Sequence, residues 1–305
     1  MARFSRNLTL LLAASVLLSP GASAAPRKKP TTQISPTRTA ATPVPLAPGE
    51  LPLYAGGAIV IDAANGATLY EKNADARFFP ASTTKVMTAL LVIEAGELDR
   101  EVEVTDEDSR VGESGLDIKP GERYSRRQML LGLMLKSAND VAHALGRDNA
   151  GTMPAFAEKM TLRARELGAT NTSFRNPHGL HHLEHYTTAR DLALIGRAAM
   201  QQPFFRQIVV TRSFDWPAAY GPRPVPNHNK LLALFPGCTG IKTGYTNPAQ
   251  HTFVGGALRG GKEVISAVLR DTKQGKWDDS MLLLSYGLQK LIEPPVSPAN
   301  PTAAQ

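Results

Sequence analysis

Cysteine is nearly missing from this 305-residue chain, in which Cys238 stands alone. Neither a disulfide framework nor a thiolate metal cluster can be built from it. A membrane-length apolar run is missing at the N-terminus, where Leu8 to Leu18 gives only 11 mostly apolar residues against the ~20 that a spanning helix needs. Acidic residues are absent from positions 1–49, which hold Arg3, Arg6, Arg27, Lys28, Lys29 and Arg38. Six of the seven net positive charges therefore lie there, and the rest of the chain is close to neutral. That balance argues against a nucleic-acid-binding surface. What is present is 42% hydrophobic residues, enough for a sizeable core in one large or two ordinary domains.

The order of segments follows from composition. Residues 1–24 read as a secretory signal: two arginines, the apolar run, Pro20-Gly21, and the small-x-small pattern Ala22-Ser23-Ala24 with the cut after Ala24. An uncleaved anchor or a buried N-terminal helix is the alternative. Residues 25–50 hold six prolines and four basic residues between Pro26 and Pro48, which predicts an extended, solvated linker. Its charge offers weak association with anionic wall polymer or lipid headgroups, although a plain spacer suffices. Residues 51–292 form the expected folded domain, and 293–305, opening with Glu293-Pro294-Pro295, a disordered tail.

Within the domain, Ala58–Ile61 and Ala67–Tyr70 around Ala64-Asn65-Gly66 predict a hairpin. Helical spacing runs from Ser82 to about Glu94, with Ser82 suited to a helix start. Val111–Tyr124 reads as loop. Arg127–Leu145 reads as helix with a break near Ser137, and Met153–Leu167 and Ala189–Met200 as further helices. Gly240–Thr246, Thr252–Leu258 and Glu263–Leu269 read as strands, followed by a helix over Gln274–Leu291. Strands at both ends with helices between them predict an α/β (α+β) fold: one sheet completed by the two ends, with a helical lobe inserted.

Three short patterns carry chemistry. In Ser82-Thr83-Thr84-Lys85 the hydroxyl and the amine lie at i and i+3 on one helical face. Serine needs a base to become a nucleophile, and lysine serves only if desolvation or a neighbouring cation lowers its pKa. In Ser137-Ala138-Asn139 a hydroxyl and an amide on a tight connection can face one cleft, for proton relay and for holding a carbonyl. In Lys242-Thr243-Gly244 a strand offers a cation for a carboxylate, and Gly244 permits close approach of another backbone. Each pattern alone is weak; Ser5-Arg6-Asn7 repeats the second without function.

Together, Ser-x-x-Lys, then Ser-x-Asn 55 residues on, then Lys-Thr-Gly 105 residues later resemble the active-site set of the penicillin-recognising serine enzymes. The chain resembles the D-alanyl-D-alanine carboxypeptidases, the low-molecular-mass penicillin-binding proteins, over residues 54–291. Ile118 to Glu122, Asn176 to Leu180, Tyr186 to Ala193 and Gly240 to Thr246 share in the likeness. The resemblance implies a serine β-lactamase/DD-peptidase-like fold, an antiparallel sheet flanked by helices. It also implies a periplasmic or extracellular, wall-associated hydrolase without cofactor or metal. Its substrates would be peptidoglycan stem peptides, and β-lactam antibiotics its covalent inhibitors. By resemblance Ser82 is the nucleophile, Lys85 its base and Ser137 a proton relay, while Asn139, Lys242, Thr243, Gly244 and Tyr245 bind substrate. The backbone N–H groups of Ser82 and Tyr245 would hold the oxyanion. Thr239, where the family often has Asp, and Ala249-Gln250, where it often has Ala-Gly, depart from the pattern.

Other readings compete. A DD-endopeptidase would use the same serine on cross-bridges, and a non-catalytic wall-binding or β-lactam-sensing module would share the fold. A class A β-lactamase would need Glu-x-x-Leu-Asn, which does not occur. His181-His182-Leu183-Glu184-His185 fits an inverted zinc-protease pattern, but Asn176-Pro177, Gly179 and a helix cap at Thr187 or Thr188 place these histidines on a loop. Cys238, Trp216 and Trp277 are expected to pack.

Overall fold

The computed structural model describes residues 49–218 and 221–292. The expected signal peptide, almost all of the linker and the tail lie outside the described residues.

The chain opens on the hairpin of β1 (Gly57–Asp62) and β2 (Thr68–Lys72), whose turn is fixed by Asn65 Oδ1 accepting from Ala67 N–H. A 3-10 turn over Ala81–Thr84 then runs into α1 (Lys85–Glu94). The short strands β3 (Glu101–Glu103) and β4 (Arg123–Ser125) pair with each other, and α2 (Asp106–Ser109) lies between them in sequence. Next come α3 (Arg126–Leu135), α4 (Asn139–Ala150), α5 (Met153–Glu166), α6 (Ala189–Met200) and α7 (Pro203–Val210). A second ribbon, β5 (Ser213–Trp216) with β6 (Arg223–Pro226), precedes α8 (Leu231–Leu234). The long strands β7 (Cys238–Thr246), β8 (Gln250–Arg259) and β9 (Lys262–Asp271) and helix α9 (Gly275–Ile292) finish the domain.

One five-stranded sheet, in the order β2-β1-β9-β8-β7, is antiparallel throughout. Elements from both ends of the domain build it, with α1 to α8 inserted between β2 and β7, as the strand pattern predicts. Side-chain alternation sorts its two faces. Ala58, Val60, Val264 and Val268 join Trp277, Leu284 and Leu288 of α9 in one core. Their neighbours Ile59, Ile61, Ile265, Ala267 and Leu269 face the other way and enter the core of the helical lobe. At the centre of that lobe α1 is buried on every side from Lys85 to Val92. A helix apolar all round needs such a setting.

Two local outcomes differ from the sequence reading. Ser82 does not cap α1: Ala81 takes φ +50° and residues 81–84 wind as a 3-10 turn, so no side-chain cap is made and the Ser82 hydroxyl faces the cleft. The segments β3, β4, β5, β6, α7 and α8 were not expected. They are three to eight residues long, too short for a period to declare itself. The break at Ser137 is as expected: α3 stops at Leu135, Ser137 adopts φ +68°, and α4 begins at Asn139. Thr188 caps α6, its Oγ1 accepting from Asp191 N–H at 3.1 Å.

The 3-10 turn is wedged between two backbones. On one side Gly179, at φ +90°, lies so close that an added Cβ would sit 1.8 Å from the Ala81 carbonyl oxygen. On the other, Thr252 Oγ1 of β8 donates to Pro80 O at 2.9 Å. Gly179→Ala should therefore force backbone apart at the turn that carries Ser82. A denaturant melt should show it less stable by about 2 kcal/mol or more, with penicillin acylation slowed in whatever fraction remains folded.

Candidate active site

The side chains singled out in the sequence meet between the sheet edge and the helical lobe. A cleft of about 310 Å³ is lined by Ser82, Ser137, Thr243, Gly244 and Tyr245, with Ser114, His228, His251 and Lys276. Lys85, Asn139 and Lys242 lie buried.

Lys85 occupies the first position of α1, so its amine reaches back over the preceding turn to Ser82. Its Nζ lies 2.9 Å from Ser82 Oγ and donates to Asn139 Oδ1 at 2.7 Å and to the His178 carbonyl at 2.7 Å. The Asn139 amide is oriented by its other end, since Nδ2 donates to Gly112 O at 3.0 Å. Asn139 Oδ1 and His178 O can only accept. A neutral amine has two N–H bonds and one lone pair, so these two acceptors take the hydrogens and the lone pair is left for the Ser82 hydroxyl. Burial holds the Lys85 pKa well below its usual value, and the positive charge of Lys242 lowers it further. Both causes penalise the ammonium.

Lys242 is on β7, where alternation buries it together with Gly244 while Thr243 stays half-exposed in the cleft. Its Nζ donates to Thr243 O at 3.0 Å, and burial pulls its pKa down to about 7. Gly244 is required by contact: a Cβ there would lie 2.3 Å from Thr252 Oγ1 and 2.9 Å from Ser82 N. Tyr245 is exposed, with its ring 4.4 Å from that of His251 and its hydroxyl donating to Asn247 Oδ1 at 2.7 Å.

The loop bearing Ser114 is pinned beneath the cleft by Asp140, whose carboxylate accepts from the N–H groups of Leu116, Ile118 and Val141. Asn139 N–H donates to Ser114 O at 2.7 Å, and Ser114 Oγ donates to Lys136 O at 3.0 Å. His228 and Lys276 also line the cleft, and neither was found by sequence reasoning. Lys276 Nζ lies 3.1 Å from His251 Nδ1 and 4.8 Å over the Trp277 ring, its pKa drawn down to about 8, chiefly by burial. Single residues outside any motif leave no signal in one sequence. Lys276 lines the cleft, Lys242 lies buried, and no acidic side chain is among the lining residues, a field suited to an anionic ligand.

The histidine-rich stretch lies on a loop. His185 Nδ1 accepts from Arg175 N–H at 3.1 Å, so Nε2 carries the proton toward Thr84 Oγ1 at 2.8 Å. Burial keeps it neutral, with a pKa lowered to about 3. Thr88 Oγ1 donates to Pro177 O at 2.6 Å. This loop buttresses α1 and presents the His178 carbonyl to Lys85. Cys238 is half-buried, its thiol donating to Gly240 O at 3.4 Å and its pKa raised by burial. Trp216 is buried against Tyr124, ring centroids 4.6 Å apart, and Trp277 packs on Phe253.

Known proteins share this arrangement. The sequence profile of D-alanyl-D-alanine carboxypeptidases matches residues 44–273. D-alanyl-D-alanine carboxypeptidase DacB2 of Mycobacterium tuberculosis is 37% identical over 248 residues, covering 78% of this chain and 85% of the relative. DacF of Bacillus subtilis is 31% identical, covering 84% and 68%. Among solved structures, a D-alanyl-D-alanine carboxypeptidase from M. tuberculosis superposes with a TM-score of 0.76 at 35% identity, over 84% of this chain and 96% of the other. A Streptomyces DD-transpeptidase gives 0.73 at 32%, over 77% and 97%. On the profile match and these relatives taken together, the chain belongs to the D-alanyl-D-alanine carboxypeptidase family of serine peptidases.

Proposed function

We propose that the domain removes the terminal D-alanine from peptidoglycan stem pentapeptides through an ester on Ser82. The observation that carries this is the aim of the Lys85 lone pair at the Ser82 hydroxyl. Ser82 Oγ attacks the carbonyl between the two terminal D-alanines as its proton passes to Lys85 Nζ. The N–H groups of Ser82 and Tyr245 receive the oxyanion, each such donor contributing about 3 kcal/mol in the transition state. Ser137 passes a proton to the departing D-alanine amine. Asn139 both orients Lys85 and flanks the peptide. Lys242 and Thr243 take the terminal carboxylate, which supplies a counter-charge that buried Lys242 lacks among the described residues. Water then attacks the acyl ester, with Lys85 again accepting the proton, and a stem shorter by one residue leaves.

β-Lactams present a strained amide and a carboxylate in the same places and acylate Ser82. The reaction needs no cofactor or metal. Substrate of this kind lies outside the cytoplasm, which suits residues 1–24 as a signal for export and 25–50 as a basic linker with weak affinity for wall or membrane. Residues 51–292 are then the catalytic domain and 293–305 a tail. Relatives of this chain are named both as carboxypeptidases and as a transpeptidase. Incubation with pentapeptide monomer and with cross-linked dimer separates carboxypeptidase from endopeptidase, and the monomer should shorten.

Fluorescent penicillin should label the wild type covalently and leave Ser82→Ala unlabelled at an unchanged melting temperature. Label on both proteins, or on neither, defeats the assignment. Lys85→Met should lower the acylation rate by about 10²- to 10⁴-fold, the usual contribution of a positioned base. The pH profile has a sign that can be worked out. Lys85 must be neutral to accept a proton, so acylation rises with pH through its lowered pKa. Lys242⁺ disfavours protonated Lys85; in Lys242→Gln that penalty is gone, the Lys85 pKa rises, and the rising limb should move to higher pH.

A further inference from the structure

A second cavity, of about 590 Å³, opens beside the tip of the β7–β8 hairpin. Phe79, Leu183, Tyr186 and Pro248 give it apolar walls, and Arg77 and Arg270 reach it from two sides. It is continuous in sequence with the catalytic cleft along two elements. Phe79 lies three residues before Ser82, and Gln250, at the cavity, precedes His251, at the cleft. Leu183 is one of the most exposed large apolar side chains in the domain.

Its charges are uncommitted. Arg190, on the same side of the domain, is saturated by Glu71 and Asp75. Arg77 instead rests its guanidinium over the Tyr186 ring at 4.4 Å, and neither Arg77 nor Arg270 forms an ion pair among the described residues. No acidic side chain lines the cavity. Two exposed guanidinium groups against an aromatic wall make a receptor for a carboxylate.

The direction of β7 says which part of a substrate arrives there. Lys242 and Thr243 come first on the strand, Tyr245 next and Thr246 last, opposite Gln250. A peptide with its terminal carboxylate beside Lys242 and Thr243, and its scissile carbonyl between Ser82 and Tyr245, must run its upstream residues past Thr246. At ~3.3 Å per extended residue, about two residues carry it to the hairpin tip.

We infer that this cavity is the subsite for the upstream part of the stem peptide, where Arg77 and Arg270 bind a free glutamyl carboxylate. The inference rests on the carboxypeptidase reading and adds to it a preference for acidic over amidated stems. The test compares two peptides, each N-acetyl-γ-D-glutamyl-(Nε-acetyl)lysyl-D-alanyl-D-alanine. One carries the glutamyl α-carboxylate free and the other carries it as the amide. Wild type should cleave the acid with a kcat/KM about five-fold higher, the scale of an exposed but bidentate ion pair, and the ratio should shrink as salt is added. In Arg77→Gln/Arg270→Gln the ratio should fall to one, and Arg77→Lys/Arg270→Lys should restore part of it. Penicillin labelling of each variant reports whether its cleft is folded, and the wild-type ratio and its salt dependence need no variant at all. Equal cleavage of the two peptides by wild type, preference for the amide, or a ratio that survives loss of both arginines overturns the inference alone. If neither peptide is cleaved and penicillin fails to label Ser82, the carboxypeptidase reading falls and the inference with it.

Discussion

The structure depends on the three-way grip on one amine. Lys85 Nζ is held by two oxygen atoms that only accept, one from Asn139 and one from the His178 carbonyl. That leaves a single direction for a lone pair, and Ser82 lies along it. Burial and Lys242 favour the neutral amine, so charge state and aim are set by the same surroundings. Each holder comes from a different part of the lobe. Asn139 opens α4 after the Ser137 kink, and His178 is on the loop that Gly179 presses against the Ala81 carbonyl. The sheet contributes through Gly244 and Thr252, which fix the turn from the opposite side.

The electrostatics of the cleft follow from the same economy of carboxylates. Asp140, the acidic residue nearest the centre, is spent on backbone N–H groups of the Ser114 loop. Lys242 is buried, and among the described residues its amine donates to a backbone carbonyl, Thr243 O, and pairs with no carboxylate, which leaves its charge costly until an anion arrives. Under the proposed function, a substrate carboxylate would supply the anion that Lys242 lacks among the described residues.

Much of this was legible in the residues. The i, i+3 spacing put Ser82 and Lys85 on one face, the switch from helical to alternating pattern located the sheet, and the interruption at Ser137 was visible as a break. Three motifs picked out residues that the fold brings together at one cleft, because each is a short string with its own geometry. The grip on Lys85 was not legible, because a carbonyl such as that of His178 has no signature in side-chain identity. Lys276 and His228 were invisible for a related reason: each is a lone residue brought to the cleft by tertiary packing. The helix start at Ser82 was misjudged because a serine after Pro80-Ala81 looks like a cap, whereas the crossing of Gly179 and β8 makes that turn a 3-10 one and spares the hydroxyl for chemistry.

The placement of α1 has a consequence for substitution. Its residues from Lys85 to Val92 are enclosed on all sides, so Lys85 is anchored in a helix with no free face, while Ser82 sits half-buried on the turn before it. Substitutions along this helix would disturb the core around it. Change that leaves the core intact is placed more readily at the rim of the cleft, where Tyr245 near the hairpin tip is exposed.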